Sequence, residues 1–154
     1  MTSCRNRWWV IPSLFLCLFA VRAYSQQQSS QDFRPVRQII VPGEDRFVPF
    51  SITVRVGQQV QWVNTDTDDH TVVSNDVFNT AGHRGTNVLL KANGGTFTLV
   101  FRHPGVFPFY CRFHAVLDDK NQPKAPGPDG GIQDPDGNFG TPMNGVITVL
   151  GHED

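Results

Sequence analysis

Short runs of strand-forming residues, separated by turns rich in glycine, proline and asparagine, constrain the fold of this 154-residue chain. In the run at 47–56, every second residue from Phe50 onwards is apolar, which is the period of a strand with one buried face. Further runs lie at 36–41, 59–63, 71–74, 88–91, 96–101, 106–111 and 146–150. Without a helical period of useful length, these runs predict an all-β fold, an antiparallel β-sandwich in which parallel pairing is not expected.

The N-terminus has the pattern of a secretory signal peptide at 1–23. Two arginines precede a mostly apolar run at 8–21, and small residues offer cleavage after Ala23 or after Ser25. That run contains Pro12 and is shorter than the roughly 20 apolar residues that a membrane-spanning helix needs. We therefore predict an exported protein, periplasmic or extracellular, with no membrane span after cleavage.

Removal of the signal peptide changes both the organisation and the charge of the chain. A polar leader at 24–35 is predicted to be flexible, and one folded domain is predicted at 36–154. Cleavage removes three of the thirteen basic residues and none of the fourteen acidic ones, which leaves a formal charge of about −4. A mildly acidic domain without a basic cluster argues against nucleic acid as a partner.

Cleavage would also leave Cys111 as the one cysteine, because Cys4 and Cys17 belong to the signal peptide. In an oxidising compartment an unpaired cysteine forms an intermolecular disulfide, reacts, or binds a metal. His114 completes a Cys-x-x-His pattern, which is a weak signal by itself.

Loops at one end of a sandwich bring together residues that are distant in sequence. His70 precedes a predicted strand, Cys111 and His114 follow another, and Met143 precedes the last strand. Two imidazoles, a thiolate and a weak axial thioether are the ligand chemistry of a mononuclear blue-copper site.

From 47 to 150 the chain resembles the cupredoxins of the plastocyanin, pseudoazurin and amicyanin kind. The resemblance rests on the motifs at 47–64, 69–72, 107–114 and 143–149. It implies a Greek-key β-sandwich of seven or eight strands and one mononuclear copper ion, bound by His70, Cys111, His114 and Met143. It also implies a monomeric carrier of single electrons between transient redox protein partners, and not an enzyme.

The chain departs from that family in an insertion at 116–142, which separates His114 from Met143 by 28 residues. Its proline, glycine and aspartate content predicts an irregular loop without an extra strand. The axial ligand therefore has alternatives, namely Gln122, Gln133 or a backbone carbonyl. In similar proteins the ring edge of the second histidine is the electron-exchange face within an apolar patch, and we expect the insertion to lie beside it.

Three other interpretations remain open. A copper enzyme component, similar to a nitrite reductase or an oxidase, needs further copper sites, whereas the spare histidines are scattered in sequence. His83 and His152 are predicted to be surface residues, and His103 is predicted to lie in a turn before the ligand strand. Copper carriage or storage would use the same ligands. Zinc also accepts cysteine and histidine ligands.

Overall fold

A computed structural model describes residues 34–75, 85–134, 137–138 and 140–151. The predicted signal peptide, nearly all of the predicted leader, His83 and His152 lie outside the described residues. Within the described ranges the regular elements are all strands: β1 (Arg37–Val41), β2 (Ser51–Arg55), β3 (Gln59–Asn64), β4 (His70–Ser74), β5 (Thr86–Leu90), β6 (Thr96–Val100), β7 (Gly105–Tyr110), β8 (Val116–Leu117), β9 (Pro123–Ala125), β10 (Gln133–Asp134), β11 (Gly137–Asn138) and β12 (Asn144–Leu150).

Two sheets form the sandwich and confirm the all-β prediction. One sheet has three strands in the order β1-β3-β6, and the other has five in the order β2-β12-β7-β4-β5. β7 therefore lies between β12 and β4. The buried side chains of both sheets form one apolar cluster between them.

Two strand pairs are parallel, which the sequence pattern did not predict. β1 pairs with β3, and β2 pairs with β12, each in parallel. Parallel neighbours need a crossover connection, and the prediction assumed that this connection must be a helix. In this fold β2, which belongs to the opposite sheet, makes the crossover from β1 to β3.

The observed strand β2 is shorter than the predicted strand at 47–56. Val48 forms a backbone bridge with Ile40 of β1, whereas β2 begins only at Ser51 and pairs with β12. The chain thus changes from one sheet to the other within the run. Burial does not alternate through this change: Phe47 is buried and Phe50 is 54% exposed, so the predicted inward position of Phe50 was wrong, and the alternation of buried residues begins at Ile52.

The insertion contains short strands, so the prediction that it holds no strand was wrong. β8 pairs with β9, and β10 pairs with β11, both antiparallel. Local turn chemistry explains the first hairpin: the Asp118 carboxylate accepts hydrogen bonds from the amides of Lys120 (2.9 Å) and Gln122 (2.8 Å). Asn121 takes a positive φ of 60°, a conformation that asparagine tolerates.

Aromatic side chains fill the centre of the core. Trp62 stacks on Phe97 at 5.5 Å between ring centroids and meets Phe109 edge-on at 5.4 Å. Cys111 and Met143 are fully buried and belong to the same cluster. The core therefore reaches the end of the sandwich where the predicted ligands lie.

Among the described residues, no helix has the length and apolar character needed to cross a membrane.

The position of Trp62 predicts a large contribution to stability. Trp62→Ala should lower the free energy of unfolding by about 3–5 kcal/mol, because it leaves a cavity beneath two packed rings. Urea denaturation of the metal-free protein measures this loss. Val106→Ala is the control, since Val106 is 65% exposed, and it should change the free energy by no more than about 0.5 kcal/mol. Equal losses in the two variants would contradict this assignment of the core.

Candidate metal centre

Cys111 and His114 lie in the tight turn that follows β7. The His114 amide donates to the Cys111 carbonyl at 3.2 Å, which places both side chains on the same short segment. Cys111 is fully buried and His114 exposes only 5% of its surface. Cys111 is a free cysteine, as the sequence predicts.

The β3–β4 loop delivers His70 to this segment, and the buried Asn64 shapes that loop. Its side-chain amide donates to the carbonyls of Asp68 (2.8 Å) and Leu90 (3.1 Å), and its side-chain oxygen accepts from the Asp66 amide at 3.0 Å. These three bonds tie the loop to β5. His70 begins β4, which pairs with β7, and so it lies beside the residue that follows β7.

The structure brings His70, Cys111 and His114 together. One donor atom from each lies within 4.8 Å of the others, and all three residues are buried. His70 Nδ1 is 3.9 Å from the Cys111 sulfur, and the two imidazole centroids are 5.0 Å apart. His114 Nδ1 is buried and has no hydrogen-bond partner among the described residues. A buried nitrogen without a partner beside a thiol fits a metal ligand.

Thr71 connects the His70 strand to the cysteine turn. Its amide donates to the Cys111 sulfur at 3.3 Å, and its hydroxyl lies 3.5 Å from the same sulfur. That hydroxyl also accepts from the Arg112 amide at 2.9 Å. The sulfur therefore accepts a backbone hydrogen bond from the segment that carries the other ligand, His70.

Electrostatics favour the thiolate form of Cys111. Burial raises the pKa of the thiol, whereas the neighbouring His114, His70 and Thr71 side chains and the Phe113 amide lower it to about 5. Metal binding requires the thiolate. The protein thus prepares this ligand before a metal arrives.

Met143 lies against the same turn. Its carbonyl accepts from the Cys111 amide at 3.0 Å, and its amide donates to the His114 carbonyl at 2.9 Å. The side chain is fully buried. The alternative axial residues Gln122 and Gln133 are both exposed. His103 is exposed as well, at the turn before β7.

The insertion packs beside the cysteine turn, as expected. The Asp129 amide donates to the Phe113 carbonyl at 3.1 Å, and the Gln133 amide donates to the Glu44 carbonyl at 2.9 Å. At Gly127 a Cβ atom would overlap the Phe113 carbonyl oxygen, so this close approach requires glycine. The insertion is therefore part of the wall around the site.

Acidic residues, and not an apolar patch, surround the His114 ring edge. The open depression above the site is lined by Phe113, His114, Gln133, Glu44, Asp45, Asp66, Asp68, Asp69 and Asp129. We call its six acidic members the acidic rim. The expectation of an apolar surround was wrong because the turn after β1 and the β3–β4 loop both direct carboxylates over the imidazoles.

Sequence reasoning missed Asp45 and Asp66 as members of the site. Asp66 precedes His70 by four residues in the same loop, and this spacing is the one signal that could have identified it. Asp45 lies in a separate turn, so only the fold reveals its position near His114.

A buried thiolate with two imidazoles at one end of a β-sandwich is the donor set of a mononuclear copper protein. The family model of copper-binding proteins, the plastocyanin/azurin family, matches residues 40–118, which is just over half of the chain. The chain belongs to this family, and the predictions of a cupredoxin and of a copper cofactor are confirmed.

Solved structures of amicyanin share the fold. A Cu(I) form of an amicyanin point mutant is 15% identical, with a TM-score of 0.50, over 76% of this chain and 84% of that chain. Amicyanin from Paracoccus versutus is 14% identical, with a TM-score of 0.48, over 77% of this chain and 87% of that chain. At 15% identity the likeness to the first of these structures shows the fold alone.

The hydrogen bonds of Asn64 predict its importance for the ligand loop. Asn64→Ala should lower the free energy of unfolding by roughly 1–3 kcal/mol, because it leaves buried backbone groups without partners. It should also speed hydrogen exchange at the Asp66 amide, which NMR measures. Gln38→Ala removes only an exposed side-chain bond, and is expected to stay within about 0.5 kcal/mol. Unchanged exchange at Asp66 would show that Asn64 does not hold the loop.

Proposed function

We propose that this protein is an exported electron carrier that holds one copper ion through His70, Cys111 and His114, with Met143 as the axial ligand. The observation that carries the proposal is the convergence of three buried donor atoms within 4.8 Å. Family membership supports copper as the metal. The N-terminal sequence pattern supports export.

The donor set suits single-electron transfer. Thiolate and thioether ligands favour Cu(I), whereas imidazole suits both oxidation states. Copper held there would supply one-electron chemistry between these states. The chain's own contribution is rigidity: backbone bonds join Cys111 to Met143, Met143 to His114, and Thr71 to the sulfur. Ligands held in this way need little rearrangement when the charge of the site changes.

Met143 is the preferred axial ligand because of its burial and its softness. It shares the apolar cluster with Cys111, and two backbone hydrogen bonds hold it beside the cysteine turn. An exposed glutamine would have to leave solvent to replace it. A thioether at this position is typical of blue-copper sites.

A copper enzyme is the less favoured alternative. Among the described residues, the other cluster of metal-binding side chains shares His70 with the first and adds Asp45 and Asp66. An additional copper site separate from this pocket is therefore not present in the part of the chain that the structure describes. Repeated oxidation and reduction distinguishes copper storage from electron transfer, because an electron carrier keeps its copper bound through the cycles.

The acidic rim suggests a positively charged redox partner. Within the described residues, Glu44 pairs with Arg46 and Asp69 pairs with Lys91, each at 2.7 Å. Of the other four rim carboxylates, Asp45 and Asp66 contact the imidazoles, whereas Asp68 and Asp129 have no basic partner among the described residues. Complementary charge steers weak redox encounters and accelerates association. We propose that a partner docks over this depression with a basic surface.

Spectroscopy of the copper-loaded protein tests the site. Wild-type protein should show an intense visible thiolate-to-copper absorption and bind one copper ion. Cys111→Ser should abolish the absorption, because it removes the thiolate. Met143→Leu keeps the thiolate and is the matched control, which should retain the absorption with a shifted reduction potential. A colourless wild-type protein, or one that prefers zinc, would contradict the proposal.

The acidic rim predicts that added salt changes the rate of electron transfer in opposite directions for small cationic and small anionic reagents. Oxidation or reduction by a cationic ruthenium ammine should slow between about 0.01 M and about 1 M salt, where the screening length falls from about 30 Å to about 3 Å. The rate with anionic ferricyanide should rise over the same range. The double variant Asp68→Asn with Asp129→Asn should reduce both dependences, whereas Asp119→Asn, exposed and outside the rim, should not. Equal dependences for both reagents would rule out steering by the rim.

A further inference from the structure

Each candidate copper-binding imidazole has a carboxylate at its outer nitrogen. His70 Nε2 lies 3.1 Å from Asp66 Oδ2, and His114 Nε2 lies 3.4 Å from Asp45 Oδ1. Asp45 Oδ1 is also 3.9 Å from His70 Nε2, so it stands between the two rings. The two carboxylates are nearly buried, with 11% and 12% of their side chains exposed. They belong to the inner edge of the acidic rim.

The opposite nitrogen of each ring points to the metal pocket. His70 Nδ1 faces the Cys111 sulfur, and His114 Nδ1 is buried with no hydrogen-bond partner among the described residues. Each ring therefore has one nitrogen for the metal and the other for a carboxylate. In metalloproteins an outer carboxylate fixes the tautomer and orientation of a ligating histidine and increases its basicity.

Independent parts of the fold hold the two carboxylates in place. The Asp66 amide is bound by the Asn64 side chain at 3.0 Å. Asp45 lies in a turn where it and Glu44 both have positive φ values, 51° and 82°. Such backbone is uncommon for residues other than glycine and persists where the surroundings enforce it. The insertion contributes here, because the Gln133 amide binds the Glu44 carbonyl.

We propose that Asp66 and Asp45 are positioning residues that hold His70 and His114 with the proton on Nε2 and the Nδ1 lone pair free for copper. This inference rests on the proposed ligand set. It adds to that ligand set an electrostatic role for Asp66 and Asp45. Together with the Cys111 thiolate, the carboxylates place three negative charges around the ion. That charge favours Cu(II) over Cu(I), and so it lowers the reduction potential.

The effect of the Asp45 and Asp66 charges on the reduction potential is expected to be large. Interactions between charges increase as water is excluded, and both carboxylates are largely shielded from solvent. Two described cations at the rim, Arg46 and Lys91, are paired with Glu44 and Asp69. Their charge is therefore not available to neutralise Asp45 or Asp66 by direct pairing.

Two measurements on copper-loaded protein without the predicted signal peptide test the proposal. First, proton–nitrogen NMR of the diamagnetic Cu(I) form should show a proton on Nε2 of both histidines, and this needs no variant. Second, Asp66→Asn and Asp45→Asn keep an acceptor oxygen while removing the charge. Each should lower the ratio of Cu(II) to Cu(I) affinity about tenfold, which is a rise of about 59 mV in the one-electron potential.

Further variants separate charge from orientation. Asp66→Ala removes the acceptor as well, and should weaken copper binding by about 10–100-fold. Asp68→Asn removes a rim charge that contacts neither imidazole, and should shift the affinity ratio by less than half as much as Asp66→Asn. Urea midpoints of all variants identify any loss caused by unfolding.

The outcomes distinguish this inference from the proposed function. If the potential of the copper-loaded protein changes equally in Asp66→Asn and Asp68→Asn, the positioning role alone is overturned. The same holds if the Nε2 atoms of the wild-type protein carry no proton. Wild-type protein that binds copper without the thiolate absorption overturns the proposed function, and this inference with it.

Discussion

The pairing of β7 with β4 and β12 is the constraint on which the metal centre depends. Cys111 directly follows β7, His70 begins β4, and Met143 directly precedes β12. Because β7 is hydrogen-bonded to both neighbours, three of the four proposed ligands leave adjacent strands at the same end of one sheet. His114 needs only the short turn after Cys111. The positions of the ligands therefore depend on the sheet and not on long, independent loops.

Burial gives this arrangement its chemical character. Cys111 continues the apolar cluster that contains Trp62 and Phe109, so its thiol would resist ionisation if burial acted alone. The adjacent imidazoles and the Thr71 groups reverse that tendency. The same loops place carboxylates on the outer nitrogens of the imidazoles. The candidate ligands thus lie between an apolar side that faces the core and an acidic side that faces solvent.

Much of the fold, and three candidate ligands that the structure brings together, were predicted from the sequence. Alternation identified the main strands, and His70, Cys111 and His114 followed from ligand type and from the resemblance. The parallel pairs were not predictable, because they depend on which sheet receives β2. Asp45 was not predictable either, since its proximity to His114 depends on the turn after β1 lying beside a turn that comes much later in the chain. Local sequence does not encode such distances.

The insertion is joined to the surroundings of the site at two separate points. Its backbone binds Phe113 in the cysteine turn and Glu44 in the turn after β1. Each of these partners is within two residues of a proposed ligand or of a carboxylate that contacts one. A loop fastened in this way restricts the turns around the ligands, and its acidic residue Asp129 extends the rim. The segment predicted to be an insertion thus contacts the turns around the candidate ligands and adds a charge to the rim.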